Sequence, residues 1–215
     1  QAALKEDNLA GLQAGMKNLK KHMETIEAFG LPFVIAINRF VTDTDSEVEY
    51  VTKWCELEGA QVALTEVWEH GGAGGMDLAE KVIKITDEQT SHFQPLYNVE
   101  DPIENKITTI AQKVYGADGV QFTPQAKQQI LEMTANGWAD LPICMAKTQY
   151  SLSDEPTLLG RPENFEITVR ELRPSVGAGF LVALTGDVLT MPGLPQEPAA
   201  LRMDVDAQGN AVGLF

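Results

Sequence analysis

The chain is short of cysteine, of basic residues and of long apolar runs, and each shortage closes a class of function. Two cysteines, Cys55 and Cys144, are too few for a disulfide framework or a zinc cluster. A reduced, cytoplasmic setting is therefore the expectation. The longest apolar run, residues 31–37, holds a proline and has the length of a strand. It falls far short of the ~18–20 residues a membrane helix needs, so no membrane partner is expected. Lys and Arg number 16 against 31 Asp and Glu, a formal charge of -15. The excess is even: residues 1–94 carry 8 basic and 16 acidic side chains, and residues 95–215 carry 8 and 15. Nucleic-acid binding needs a basic surface that displaces counterions, so that class is excluded. Three histidines, His22, His70 and His92, lack ligand-like spacing, and no metal site is predicted. No G-x-x-x-x-G-K-[ST], G-x-G-x-x-G or G-x-S-x-G run occurs, which leaves no phosphate loop, dinucleotide fingerprint or serine elbow. No catalytic residue is assigned.

What is present suits a folded protein. With 215 residues, 44% of them apolar, the chain has material for one or two domains with real cores. It begins at Gln1 without a signal-like segment, and helical periodicity starts almost at once. That pattern predicts a chain cut from something longer.

Asp7 or Asn8 can cap a first helix whose Leu9, Leu12, Met16, Leu19, Met23 and Ile26 recur at three or four residues, with Gly30 as its stop. Phe33-Val34-Ile35-Ala36-Ile37 reads as a strand buried on both faces of a parallel sheet. Ser46 and Glu49 form an S-x-x-E box for a second helix; Gln61-Val62-Ala63-Leu64-Thr65 is a second strand; a third helix carries Leu78, Ala79, Val82 and Ile83. This order implies right-handed crossovers and a parallel sheet, in which ligands lie beyond the carboxyl ends of the strands. The pattern lapses around 91–98, and a boundary is placed there.

Beyond it, Asp101-Pro102 starts a helix through Ile103, Ile107, Ile110 and Val114 to Gly116, and Thr123-Pro124 starts another through Ile130 and Met133. Residues 141–146 and 179–184 read as strands, 166–172 alternates weakly, 150–164 is loop, 191–195 cannot be regular, and the tail from 201 to 214 looks like a hairpin around Gln208-Gly209. The predicted fold class is α/β: a parallel-sheet segment over 1–94, followed by a smaller α+β domain over 95–215.

Several features admit a chemical and a structural reading. Gly71–Gly75 precedes a helix and could cradle an anion, or it is a plain strand-to-helix turn; Asp77 argues against a phosphate there. His70 lies in that loop, where an acid/base role has no support, and His22 borders the first helix's apolar stripe. Cys55 and Cys144 read as small buried hydrophobes. Phe40 and Trp68 each follow a strand. They could hold a flat heterocycle between two rings, or they pack a loop onto the core.

The runs Gly30-Leu-Pro-Phe-Val-Ile-Ala-Ile-Asn-Arg-Phe40, Val62-Ala-Leu-Thr-Glu-Val-Trp68, Tyr115-Gly-Ala-Asp-Gly-Val120, Met145-Ala-Lys-Thr-Gln-Tyr-Ser151, Leu159-Gly-Arg-Pro162, residues 169–186 and Met191-Pro-Gly-Leu-Pro195, with the closing Gly-Leu-Phe, resemble the C-terminal part of formate–tetrahydrofolate ligase. The resemblance implies an ATP-dependent enzyme that makes 10-formyltetrahydrofolate from formate and tetrahydrofolate through formyl phosphate, with Mg²⁺ and a monovalent cation assisting. It implies a pterin held between Phe40 and Trp68 with an apolar contact from Leu64, and it tips the reading of the two rings towards the chemical one. Val41 stands where many relatives have proline. The loop 150–162, with Gly160, Arg161 and Pro162, is expected to border the nucleotide. The family's phosphate-binding loop lies in a part these residues do not include, so the chain alone is expected to be inactive. The resemblance also implies a homo-oligomer, a tetramer in relatives, in the full-length context. Two rival readings stay open: a non-catalytic assembly or interaction module, and an unrelated small-molecule binder on a shared scaffold.

Overall fold

The computed structural model describes residues 8–186, 196–209 and 211–213. Asp7, the 191–195 motif and the closing Leu214-Phe215 lie outside the described residues. The fold class is α/β, with helices around one parallel and one mixed sheet.

Helix α1 (Leu9–Ala28) starts where the Asn8 side chain accepts the Gly11 N–H, and it stops at Phe29 with Gly30 at φ +69°. Gly30 is required twice over, because a Cβ there would also meet the carbonyl oxygen of His92. Strands β1 (Val34–Asn38) and β2 (Gln61–Thr65) pair in parallel, Ile37 opposite Leu64 and Asn38 opposite Thr65. The expectation that the first strand is buried on both faces is not met. Ala36 and Asn38 are exposed, because among the described residues this sheet has only these two strands. Met16, Cys55 and Val62 form the core beneath it, with Leu12, Ile35 and Trp54 packed around them.

Helix α2 (Asp45–Leu57) begins earlier than the Ser46 box predicts. Thr44 is its cap, and the Glu47 carboxylate bonds back to the Thr44 N–H at 3.1 Å. That T-x-x-E box overlaps the S-x-x-E one and lies closer to the preceding turn. Helix α3 (Val67–His70) and a 3₁₀ turn over Gly71–Gly75 lead into α4 (Met76–Glu88), which lies against β2 and β1.

The larger sheet belongs to the part that the sequence predicts to be the smaller. Strands β3 (Gly119–Phe122), β4 (Ile143–Ala146), β5 (Glu166–Ser175) and β6 (Phe180–Thr185) run in the order β3-β5-β6-β4. The outer pairs are parallel and the central β5–β6 pair is antiparallel. Helices α5 (Ile103–Ile110) and α6 (Pro124–Ala135) cover it, burying Ile103, Ile107, Ile130, Leu172 and Leu181 in one core. Each such side chain contributes about 1.5–3 kcal/mol relative to exposure. Thr123 caps α6 as expected, but Asp101 does not cap α5. Pro102 occupies the cap, and the Asp101 carboxylate instead accepts the Asn98 N–H at 3.0 Å. The last turn before Gly116, Ala111–Tyr115, is π-helical. Strand β3 escapes the sequence pattern, being short and opened by glycine. Cys144 is exposed rather than buried, because β4 lies at the sheet's edge. The predicted terminal hairpin is present as β7 (Asp204–Val205) paired antiparallel with β8 (Ala211–Val212).

Candidate functional site

The carboxyl ends of β1 and β2 carry the two aromatic side chains. The ladder extends one step past the strands, with the Arg39 N–H on the Thr65 carbonyl at 3.0 Å. Phe40 follows directly. A tight turn then closes twice: the Asp43 N–H donates to the Phe40 carbonyl at 3.0 Å, and the Phe40 N–H donates to the Asp43 carboxylate at 2.8 Å. These two bonds define the turn around Val41. Arg39 also meets Asp45 at 2.5 Å, tying the turn to the start of α2.

On the β2 side, the chain leaves Thr65 and turns at Glu66 into α3, where Trp68 sits. The Glu66 N–H bonds to the Gly74 carbonyl at 3.0 Å, which folds the glycine-rich segment back against the strand end. A Cβ on Gly74 would collide with the Glu66 backbone, so this approach demands glycine. The segment is a turn feeding α4, and the Met76 N–H is spent on the Ala73 carbonyl.

The Trp68 indole Nε1–H donates to the Arg39 carbonyl at 2.7 Å. That bond joins the Trp68 loop to the residue before Phe40. Both rings remain open to solvent, Phe40 57% and Trp68 53% exposed. Leu64 is half-buried on β2, opposite Ile37. Sequence order separates these residues widely, and parallel pairing brings them to one sheet end. His70 is exposed in the same loop.

Of the loop residues Gly160, Arg161 and Pro162, the first two are tied to α1. Gly160 takes φ +74°, and its carbonyl accepts the Asn18 side-chain N–H at 2.9 Å. The Arg161 guanidinium forks onto Glu24 at 2.9 and 2.8 Å and holds that carboxyl below its ordinary range, against a smaller opposing effect of burial. No hydrogen bond or ion pair among the described residues joins 160–162 to Phe40, Leu64 or Trp68.

The same loop is organised by Lys147, which sequence reasoning missed. Its ammonium donates to the carbonyls of Thr148, Ser151 and Ser153 and lies 5.1 Å from the Tyr115 ring centre. Burial pulls its pKa down, partly countered by Asp154. Asp154 in turn accepts the Thr168 N–H at 2.8 Å. Outward from this frame point Tyr150 and Leu159, 67% and 73% exposed. A lysine in a polar stretch gives no sequence signal of such a role.

Among the described residues no three His, Cys, Asp or Glu side chains converge into a metal site, and no helix is long and apolar enough to cross a membrane. Comparison with known families then places the whole molecule. The family model described as formate–tetrahydrofolate ligase matches residues 1–215, and the chain belongs to that family of enzymes, which join formate to tetrahydrofolate in one-carbon metabolism and use ATP.

Proposed function

We propose that this chain supplies the pterin side of a formate–tetrahydrofolate ligase site. The observation that carries the reading is the pair of exposed rings at adjoining strand ends, linked through the Trp68–Arg39 bond. Rings that served only to pack a loop onto the core would be covered. Phe40 and Trp68 would take the two faces of the pterin, and Leu64 would provide an apolar floor. Stacking of this kind contributes about 1–3 kcal/mol per ring.

The chain's part in the reaction is positioning. Holding the pterin fixes the N10 amine for attack on formyl phosphate, formed when formate takes the γ-phosphoryl group of ATP. Phosphate then leaves, and 10-formyltetrahydrofolate remains. Phosphoryl transfer depends on a phosphate cradle and metal ions. No Walker run occurs in residues 1–215. In this reading those groups are held outside these residues. The proposal includes a cytoplasmic setting, a homotetrameric enzyme, a division of the chain at 94/95 and a nucleotide-bordering role for 150–162. Arg161 would then position the loop through Glu24, while Tyr150 and Leu159 face outward. An Arg161→Ala enzyme, in the full-length context, with unchanged ATP KM would count against the loop's role.

The test of the main reading is activity. The purified 215-residue chain with formate, ATP and tetrahydrofolate is expected to form no 10-formyltetrahydrofolate; turnover by the chain alone would contradict the division of labour. A second reading, an assembly module without folate binding, draws support from the exposed apolar face of α4, where Met76, Val82 and Ile83 are 57%, 43% and 60% exposed. Absence of any folate effect on Trp68 fluorescence would favour it.

A further inference from the structure

A second cavity lies at the opposite end of β1 from Phe40. The whole of β1, roughly 16 Å of extended chain, lies between the two places. The cavity is an open cleft of about 350 Å³ where the end of α1, the segment after α4, the π-helical turn and β4 meet, with Phe93 at its solvent edge, 58% exposed. Its walls include Phe29, Phe93, Tyr97, Tyr115, Ile110 and Met145. The size lies in the range of small-molecule sites, and the lining is almost wholly apolar and aromatic.

The site is built rather than left over. Backbone bonds from His92 to Gly30 and from Gln94 to Phe29, each 3.0 Å, lay the following segment beside α1. The rings of Phe29 and Phe93 consequently lie within 7° of parallel, 6.1 Å between centres. The Tyr97 hydroxyl accepts the Ile143 N–H at 3.0 Å, which fixes it to the backbone of β4. Tyr115 differs. It is carried by the π-helical turn, a distortion often found at functional sites. Burial raises the pKa of its hydroxyl, so the phenol stays protonated at neutral pH. Among the described residues nothing hydrogen-bonds to that hydroxyl, while the Lys147 ammonium, fully engaged with backbone carbonyls, stands over the ring. A cation over one face draws electron density from the ring and favours an electron-rich partner on its remaining surface.

We propose that this cavity binds a flat, uncharged aromatic molecule of one or two fused rings, held by the aromatic walls and by a hydrogen bond from the Tyr115 hydroxyl to an acceptor on the ligand. The site is separate from the Phe40–Trp68 end of the sheet, and the inference does not depend on the pterin reading.

Coumarin is a suitable probe, being a neutral fused bicycle with one carbonyl acceptor. δ-Valerolactone keeps the lactone and lacks the aromatic ring. Titration of the isotopically labelled 215-residue chain, followed by amide chemical shifts, should give saturable coumarin binding with Kd near ~1 mM or tighter. Shifts should centre on Phe29, Phe93 and Tyr115, and δ-valerolactone should bind at least tenfold more weakly, roughly the loss of one stacked ring. Tyr115→Phe should raise Kd by about three- to tenfold. Ile110→Trp should abolish binding by filling the space; if its circular dichroism shows misfolding, Met145→Phe serves the same purpose. No saturation up to about 10 mM, well beyond that Kd, would overturn the proposal. So would equal Kd for Tyr115→Phe, or shifts centred on Phe40 and Trp68.

Discussion

Trp68 donates its indole N–H to the carbonyl of Arg39, 2.7 Å away, and so fixes its ring beside the turn that presents Phe40. The bond links two loops that parallel strand pairing places side by side. It also explains how a half-exposed indole on a four-residue helix keeps one orientation. Its removal separates geometry from ring area. Trp68→Phe keeps a ring and loses the bond, so the folate KM of the full enzyme should rise by about three- to tenfold. Trp68→Ala loses the stacking surface as well, and KM should rise by about 10- to 100-fold. Steady-state kinetics at saturating ATP and formate separates the two.

The glycine-rich turn tests the local architecture. Gly74→Ala places a methyl group against the Glu66 backbone, which cannot yield without breaking the Glu66–Gly74 hydrogen bond. A loss of about 1–3 kcal/mol in unfolding free energy is expected, measured by urea denaturation. Gly72→Ala, where a Cβ meets nothing within 4 Å, should change stability far less.

Val41 gives a stabilising prediction. It occupies the second position of the turn from Phe40 to Asp43, where proline pre-sets the backbone. Val41→Pro should raise stability by about 0.4–1 kcal/mol through the unfolded chain, with Trp68 emission unchanged.

Lys106 is fully buried, and its ammonium donates to the carbonyls of Val99, Ala139 and Leu141. Burial lowers its pKa, with Asp140 and Asp101 opposing. Three acceptors need three donors, which only the charged form supplies. Lys106→Met should cost about 3 kcal/mol, because three carbonyls lose their partner. Thermal unfolding with Lys127→Met as a surface control checks this.

The Arg161–Glu24 pair predicts a pH dependence. Arg161 lowers the Glu24 pKa from 4.5, so the folded state binds that proton less readily than the unfolded chain. The pair's contribution is therefore complete above the ordinary carboxylate value and fades as pH falls through the lowered one. Both side chains are about a third exposed, so the contribution is modest, about 1 kcal/mol or less. Denaturation midpoints of wild type and Glu24→Gln should differ at pH 7 and converge as pH falls through the lowered Glu24 value.

Much of this was readable from side-chain periodicity. The stripe of α1, the strand at 61–65 and the core faces of α5 and α6 follow from apolar spacing alone. That Phe40 and Trp68 follow adjoining strand ends was legible once the two strands were read as neighbours in a parallel sheet, and the register puts Asn38 opposite Thr65. The buried lysines were not legible: Lys21 and Lys106 sit where polar pattern predicts a solvated face, and tertiary contacts supply carbonyls that hold their ammonium groups, Lys113 for Lys21 and Ala139 and Leu141 for Lys106. Strand β3 was missed because its order comes from β5, and the exposure of Ala36 and Cys144 because edge position is a property of the sheet. Arg161 was singled out as a loop residue, yet nothing local points to Glu24, far away in sequence.

The central claim concerns a ring held between Phe40 and Trp68. Trp54 and Trp138 pack against the two cores, so replacing both with Phe leaves Trp68 as the reporter. This variant, joined to a phosphate-binding portion from the family, is titrated with tetrahydrofolate under anaerobic conditions while Trp68 emission is followed. The account predicts saturable quenching that Phe40→Ala abolishes; saturable folate binding seen by calorimetry with Trp68 emission unchanged would contradict it.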